Sequence, residues 1–174
     1  MNECKLSEIN WTKAAVFAGG DRGHYRTDFD CFVGVDRGSL WVLEEKLPLA
    51  LAVGDFDSVT VEERQLIQER AQHFIQAQPE KDDTDLELAL LTIFEKNPQA
   101  QVTIFGALGG RIDHMLANVF LPSNPKLAPY MRQIEIEDGQ NLIRYCPEGT
   151  SQLEPWSDYD YLAFMPVRDS QLTI

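Results

Sequence analysis

The chain has 174 residues, enough for one ordinary domain with a real core, or for one domain and a small second module. Its 28 acidic against 15 basic residues leave a net charge of −13, which argues against nonspecific binding to nucleic acid or to an anionic membrane surface. The sequence shows no basic-then-apolar leader and no apolar run of membrane-spanning length. Its three cysteines, Cys4, Cys31 and Cys146, are too scattered for a zinc site or a disulfide framework, so a reducing cytoplasm is expected.

Apolar runs of about five residues predict strands covered on both faces, as in a parallel sheet. The first, 14–18, ends in Gly19-Gly20; the second, 31–35, ends in Asp36; the third, 49–53, ends in Gly54-Asp55. Thr60 and Glu63 form a capping box that predicts a helix over 61–71. A strand at 74–77 follows. Thr84 and Glu87 form a second box, ahead of Leu86, Ala89, Leu90, Ile93 and Phe94 at helical spacing. The strand at 102–105 ends in Gly106, and a helix runs from 115 to 120. This alternation predicts an α/β fold over 1–124: a doubly wound, mainly parallel sheet with helices on both faces.

The pattern changes after Pro122-Ser123-Asn124-Pro125. A hairpin is expected over 133–137 and 142–146, turning at Asp138-Gly139, with further strands at 160–167 and 171–174. Residues 125–174 therefore read as a smaller, truncated β-sandwich-like module.

The residues that carry chemistry sit where these strands end, which is where open α/β sheets bind ligands. Asp55 and Asp57, two apart in an extended loop, would point the same way and share a hard cation; the alternative is a plain turn in which Ser58 or Thr60 caps the next helix. Asp82 and Asp85 share a helix face, although acids in a first turn also suit the helix dipole. In the run Gly106 to His114, Gly109-Gly110 lets backbone N–H groups approach phosphate, and Arg111 offers bidentate contacts. Within that run, Asp113 is equally suited to capping, and His114 to a structural role. Gly19-Gly20 and Asp36 suggest nucleotide contacts. No GxGxxG and no Walker A sequence is present, which disfavours a P-loop kinase.

Taken in order, Gly19-Gly20, Val35-Asp36-Arg37-Gly38, Gly54-Asp55-Phe56-Asp57-Ser58, Lys81-Asp82-Asp83-Thr84-Asp85 and Gly106 to His114 resemble the thiamine pyrophosphokinase family. The resemblance covers about residues 14–122 well and the remainder loosely. It implies a diphosphotransferase that uses ATP and thiamine, yields thiamine diphosphate and AMP, needs Mg²⁺ and works as a cytoplasmic homodimer. It places Asp55, Asp57 and Asp85 on the metal, and Asp55, Asp57, Asp82, Asp85 and Arg111 in catalysis. Contacts to the nucleotide fall to Gly20, Asp36, Ser58, Thr84, Gly109, Gly110, Asp113 and His114. The family's Ser-Asn-acidic segment has no counterpart after Thr173-Ile174, so either the chain is a truncated form or its thiamine half-site is incomplete. Two other readings stand beside this one. Asp55-Phe56-Asp57-Ser58-Val59 loosely fits the nucleophile motif of haloacid-dehalogenase-type phosphatases, and an inactive nucleotide-binding remnant would also carry these motifs.

Overall fold

In the computed structural model, the described residues are 9–78, 83–153 and 158–167. They form a seven-stranded sheet with helices on both faces. In chain order the elements are β1 (Lys13–Phe17), β2 (Cys31–Val35), α1 (Gly38–Glu44), β3 (Leu49–Gly54), α2 (Val61–Arg70), β4 (His73–Gln76), α3 (Asp85–Lys96), β5 (Gln101–Phe105), α4 (Ile112–Phe120), β6 (Ile134–Glu137) and β7 (Leu142–Arg144). Two short 3-10 turns, Leu121–Ser123 and Ala128–Gln133, link α4 to β6.

The sheet order is β4-β3-β2-β1-β5-β6-β7. Every neighbouring pair is parallel except β6 with β7. The chain thus winds outward from β1 to β4, then returns to lay β5 on the other side of β1. That reversal is a topological switch point, and in open α/β sheets ligands bind beside it, at the carboxyl ends of the strands.

Alternation along the strands separates two cores. On one face Ala14, Val16, Val33, Val35 and Ile104 meet Leu86, Ala89, Leu90, Ile93 and Phe94 of α3, together with Leu121 and Leu127. On the other, Ala15, Phe17, Phe32, Ala52 and Phe105 meet Leu40 and Val42 of α1 and Ile67 of α2. The apolar positions of α3 all turn inward, as their spacing predicts.

The first capping box is complete: Glu63 N donates to Thr60 Oγ1 at 3.2 Å, and Thr60 N donates to Glu63 Oε2 at 2.8 Å. The second is only half made. Glu87 N donates to Thr84 Oγ1 at 3.1 Å, but the Glu87 carboxylate is buried and turns to Asn124, whose Nδ2 donates to it at 3.2 Å. Lys126 Nζ stands 3.7 Å from the same carboxylate and also pairs with Asp83. Burial raises the Glu87 carboxyl above its ordinary range, and the nearby Asp83 adds to the rise. A buried acid gains more from these partners than from a single backbone N–H, which is why tertiary contacts win over the local cap.

Two features differ from expectation beyond residue 122. The predicted hairpin forms, but it extends the same sheet, with β6 lying parallel to β5. Its turn is closed by Asp138, whose Oδ1 accepts from Gln140 N and Asn141 N at 2.7 Å each. Residues 160–167 are not a strand: they join no ladder, and Tyr161, Leu162, Met165 and Val167 are exposed. Alternating apolar residues make a strand only where a partner edge accepts the backbone hydrogen bonds. A second sheet is absent among the described residues, and the expected strand at 171–174 lies outside them. No helix of the described residues is long and apolar enough to cross a membrane.

Candidate functional site

The carboxyl ends of β2 and β3 and the start of α3 bring three carboxylates together. One oxygen each from Asp36, Asp55 and Asp85 lies within 4.8 Å of the others. Backbone conformation at three positions produces this. Asp36 leaves β2 with φ of 47°, a left-handed turn that Asp tolerates better than most residues. Its side chain then lies across the end of β3, where a Cβ on Gly54 would fall 1.9 Å from Asp36 Oδ1. Only glycine leaves room there. Phe56 is also left-handed, with φ of 59°, and its N–H donates to Asp36 Oδ1 at 3.1 Å. The Phe56 ring is buried and stacked on Phe74 at 4.7 Å, which helps to offset the strain.

That left-handed Phe56 breaks the extended run on which the Asp55–Asp57 pairing was expected. Asp57 lies outside the cluster and is exposed; its N–H donates to Asp55 Oδ1 at 3.0 Å. Asp36, assigned from sequence to the nucleotide, stands with the two acids instead. No local pattern marks this, because Asp36 and Asp85 are 49 positions apart and meet only through strand order.

Burial pushes the Asp36 carboxyl up to about 7, with further rises from the Asp85 and Asp55 charges and an opposing fall from the Phe56 N–H. Between about pH 4 and 7 the folded protein therefore keeps a proton that the unfolded chain has released. This group's contribution to stability is present at low pH and is lost as pH rises through 7. Asp36→Asn removes the penalty while keeping a residue suited to left-handed backbone. Without divalent cation, the variant's Tm advantage over wild type should widen from pH 4 to 7 and then level off. A constant difference across that range would refute this account.

Other predicted residues line the same edge of the sheet. Gly20 N donates to Gly106 O at 3.0 Å, closing the loops after β1 and β5 against each other. Left-handed turns at Gly106, Gly109 and Gly110 carry the chain to Arg111 at the start of α4. Asp113 is not a cap: it lies in the first turn and accepts from Arg111 Nη2 at 2.7 Å and Nε at 3.2 Å. That hydrogen bond holds the Asp113 carboxyl below its usual range. His114 and Ser58 are exposed, and Thr84 caps α3. Asp82 lies outside the described residues. Beside the switch point, a cavity of about 260 Å³ is bounded by Asp21, His24, Gly106, Gly109, Asp138 and Gly139. Sequence reading assigned none of Asp21, His24 and Asp138 to a site, because their loops are far apart along the chain and meet only in the fold.

Three converging carboxylates at the carboxyl edge of a parallel sheet, beside glycine loops, suit a hard divalent cation with its phosphates. Fold and site thus define an α/β protein of the phosphate-handling class. Residues 23–133 match the family described as thiamin pyrophosphokinase, catalytic domain. The chain is 36% identical over 157 residues to a thiamine pyrophosphokinase of Bacillus subtilis (strain 168), covering 87% of this chain and 72% of that protein. A crystal structure of a thiamin pyrophosphokinase family protein from Enterococcus faecalis is 48% identical, with a TM-score of 0.76 over 79% of this chain and 67% of that one. Thiamin pyrophosphokinase from Candida albicans, 11% identical, shares the fold alone, with a TM-score of 0.51 over 72% of this chain and 57% of that one. The chain belongs to the thiamin pyrophosphokinase family.

Proposed function

We propose that the chain transfers the pyrophosphoryl group of ATP to the hydroxyl of thiamine, giving thiamine diphosphate and AMP. The observation that carries this reading is the Asp36–Asp55–Asp85 cluster at the ligand edge of a fold belonging to this family. Thiamine's hydroxyl oxygen would form a bond to the β-phosphorus. The bridge to the α-phosphorus would break, its oxygen leaving with AMP, and the hydroxyl proton would pass to a nearby carboxylate or to solvent. Such a transfer needs alignment and charge neutralisation rather than a covalent intermediate.

The three carboxylates fit Mg²⁺. They are oxygen donors at convergent positions, and a cation would offset both the burial that chiefly raises the Asp36 carboxyl and the lesser rise from the Asp85 and Asp55 charges. When bound, the ion would neutralise phosphate charge. Asp36, Asp55 and Asp85 would hold it, with exposed Asp57 at the cluster's rim. The left-handed turns at Asp36 and Phe56 would hold these carboxylates in place before substrate arrives. Arg111 would exchange Asp113 for a phosphate oxygen, a small change because both side chains are exposed. The glycine loops would seat the nucleotide near the switch point. Asp82, with Asp85, remains in the proposed catalytic set as a group that could receive the hydroxyl proton.

The test is direct. Incubation with Mg²⁺, ATP and thiamine should yield AMP and thiamine diphosphate in equal amounts. Free phosphate from a simple monoester, with no AMP, would favour the phosphatase reading. Binding of a non-hydrolysable ATP analogue without turnover would favour the inactive remnant.

A cytoplasmic homodimer is part of the same proposal. Its support is α4, which has no buried residue and carries Ile112, Leu116 and Phe120, all exposed, at successive four-residue steps along one face. Leu116→Glu should weaken self-association at least tenfold by analytical ultracentrifugation while leaving the melting temperature of the monomeric form nearly unchanged.

A further inference from the structure

The acidic edge that would hold the nucleotide carries few available cations. The nucleotide brings its own negative charge, so the balance of neighbouring positive groups decides how its phosphates are gripped. Most cations around this edge are already committed to carboxylates. Arg22 is held by Glu44 and Glu45, Arg111 by Asp113, and Lys126 by Asp83 and Glu87. Among the described residues here, two cations have no carboxylate partner: Arg64, whose Nη2 donates to Gln76 Oε1 at 2.6 Å, and Arg37, which stands next to the cluster.

Its position is specific. Arg37 directly follows Asp36 of the cluster, and its Nη1 donates to Ser58 O at 3.4 Å. The side chain thus spans from the end of β2 to the loop after β3, the loop that also carries Asp55 and Asp57. Its Cβ lies opposite Gly19, where a built Cβ would stand 3.7 Å away. Arg37 is exposed, so the guanidinium donors not used on Ser58 are open to solvent.

The strand order adds a distance. The cluster sits at β2 and β3, and the 260 Å³ cavity sits at β1, β5 and β6. With strands about 4.8 Å apart, the two are separated by about 10–15 Å, the span of a triphosphate with its ribose. Arg37 lies on the cluster side of that span, next to β1.

We propose, resting on the transferase reading above, that Arg37 is a catalytic phosphate-binding residue that grips the oxygens of the pyrophosphoryl group transferred from ATP. Its planar fork is suited to two phosphate oxygens at once, and its tether to Ser58 O fixes the fork before the nucleotide arrives. It counters the charge that the three carboxylates place beside the phosphates, and it does so without first breaking an ion pair.

The test uses the full chain with Arg37→Gln and Arg37→Lys, and with Arg70→Gln at the far end of α2 as a charge control. Two readouts are needed: binding of inorganic tripolyphosphate by calorimetry, with and without Mg²⁺, and steady-state kinetics with ATP and thiamine varied separately. Arg37→Gln should lower kcat/KM for ATP about 100-fold and weaken tripolyphosphate binding at least tenfold. The KM for thiamine should move less than threefold. Arg37→Lys should recover part of the binding but little of kcat, because an ammonium lacks the fork. Arg70→Gln should change none of these. If Arg37→Gln melts like wild type yet binds tripolyphosphate equally well, the proposal is overturned. Should Arg37→Gln fail to fold, unchanged binding and kcat in Arg37→Lys would overturn it equally. A wild-type chain that makes no AMP would defeat the transferase reading alone, since the tripolyphosphate comparison still decides the role of Arg37.

Discussion

Asp55→Asn should reduce Mg²⁺-dependent AMP formation by about 1,000-fold or more, with Asp85→Asn close behind. Each substitution keeps the size of the side chain and removes one of three charges converging within 4.8 Å. A group that neutralises transferring phosphate contributes about 3–4 kcal/mol to the barrier, which is two to three powers of ten in rate. Losing a metal position as well adds to that. The fold should survive, because the acids repel one another and removing one charge relieves the buried Asp36. Steady-state assays at saturating and at tenfold higher Mg²⁺, alongside thermal melts, check both halves. Wild-type turnover in either variant would remove the cluster from the mechanism. Asp57→Asn should cost less, about tenfold, since Asp57 is exposed and outside the cluster. Equal losses at positions 55 and 57 would restore the pairing read from the sequence.

The second large effect is expected in the fold. Gly38 opens α1 directly against the end of β1, and a Cβ there would lie 1.9 Å from Phe17 O and 2.7 Å from Phe17 C. The obstacle is backbone in the central strand, so no rotamer change can relieve it. Gly38→Ala should therefore destabilise the protein by about 3 kcal/mol, the upper range for overpacking. For a chain of this size that lowers Tm by about 6–12 °C. Activity should fall with it, because α1 follows Asp36 and Arg37 and any shift moves both. A melt within about 2 °C of wild type would show that β1 and α1 yield more easily than their packing indicates. Residue 38 was noted in the sequence only as part of a motif; its steric role appears once α1 is set on β1.

Much of the architecture was legible because it follows from local rules. Five apolar runs mark five parallel strands, four of them buried, Thr60 and Glu63 mark a helix start, and the inward stripe of α3 sits where its period places it. These depend on side-chain periodicity and nearest-neighbour hydrogen bonds, which a linear sequence carries directly. The 160–167 segment shows where the rule stops. Its composition suits a strand, yet a strand also needs a partner edge, and a sequence does not display one.

The site divides along the same line. That acids and glycines gather at strand ends was visible from residue order alone, and so was the family, since five motifs in sequence are independent of geometry. Which acids meet was decided by tertiary structure. Left-handed turns at Asp36 and Phe56 send Asp57 outward and bring Asp36 inward, and strand order sets Asp85 beside them. The commitment of Glu87 to Asn124 and Lys126 was likewise settled by which groups came within reach. Electrostatic partnership falls off over a few ångströms in space, whatever the separation along the chain, so only the folded arrangement could assign it.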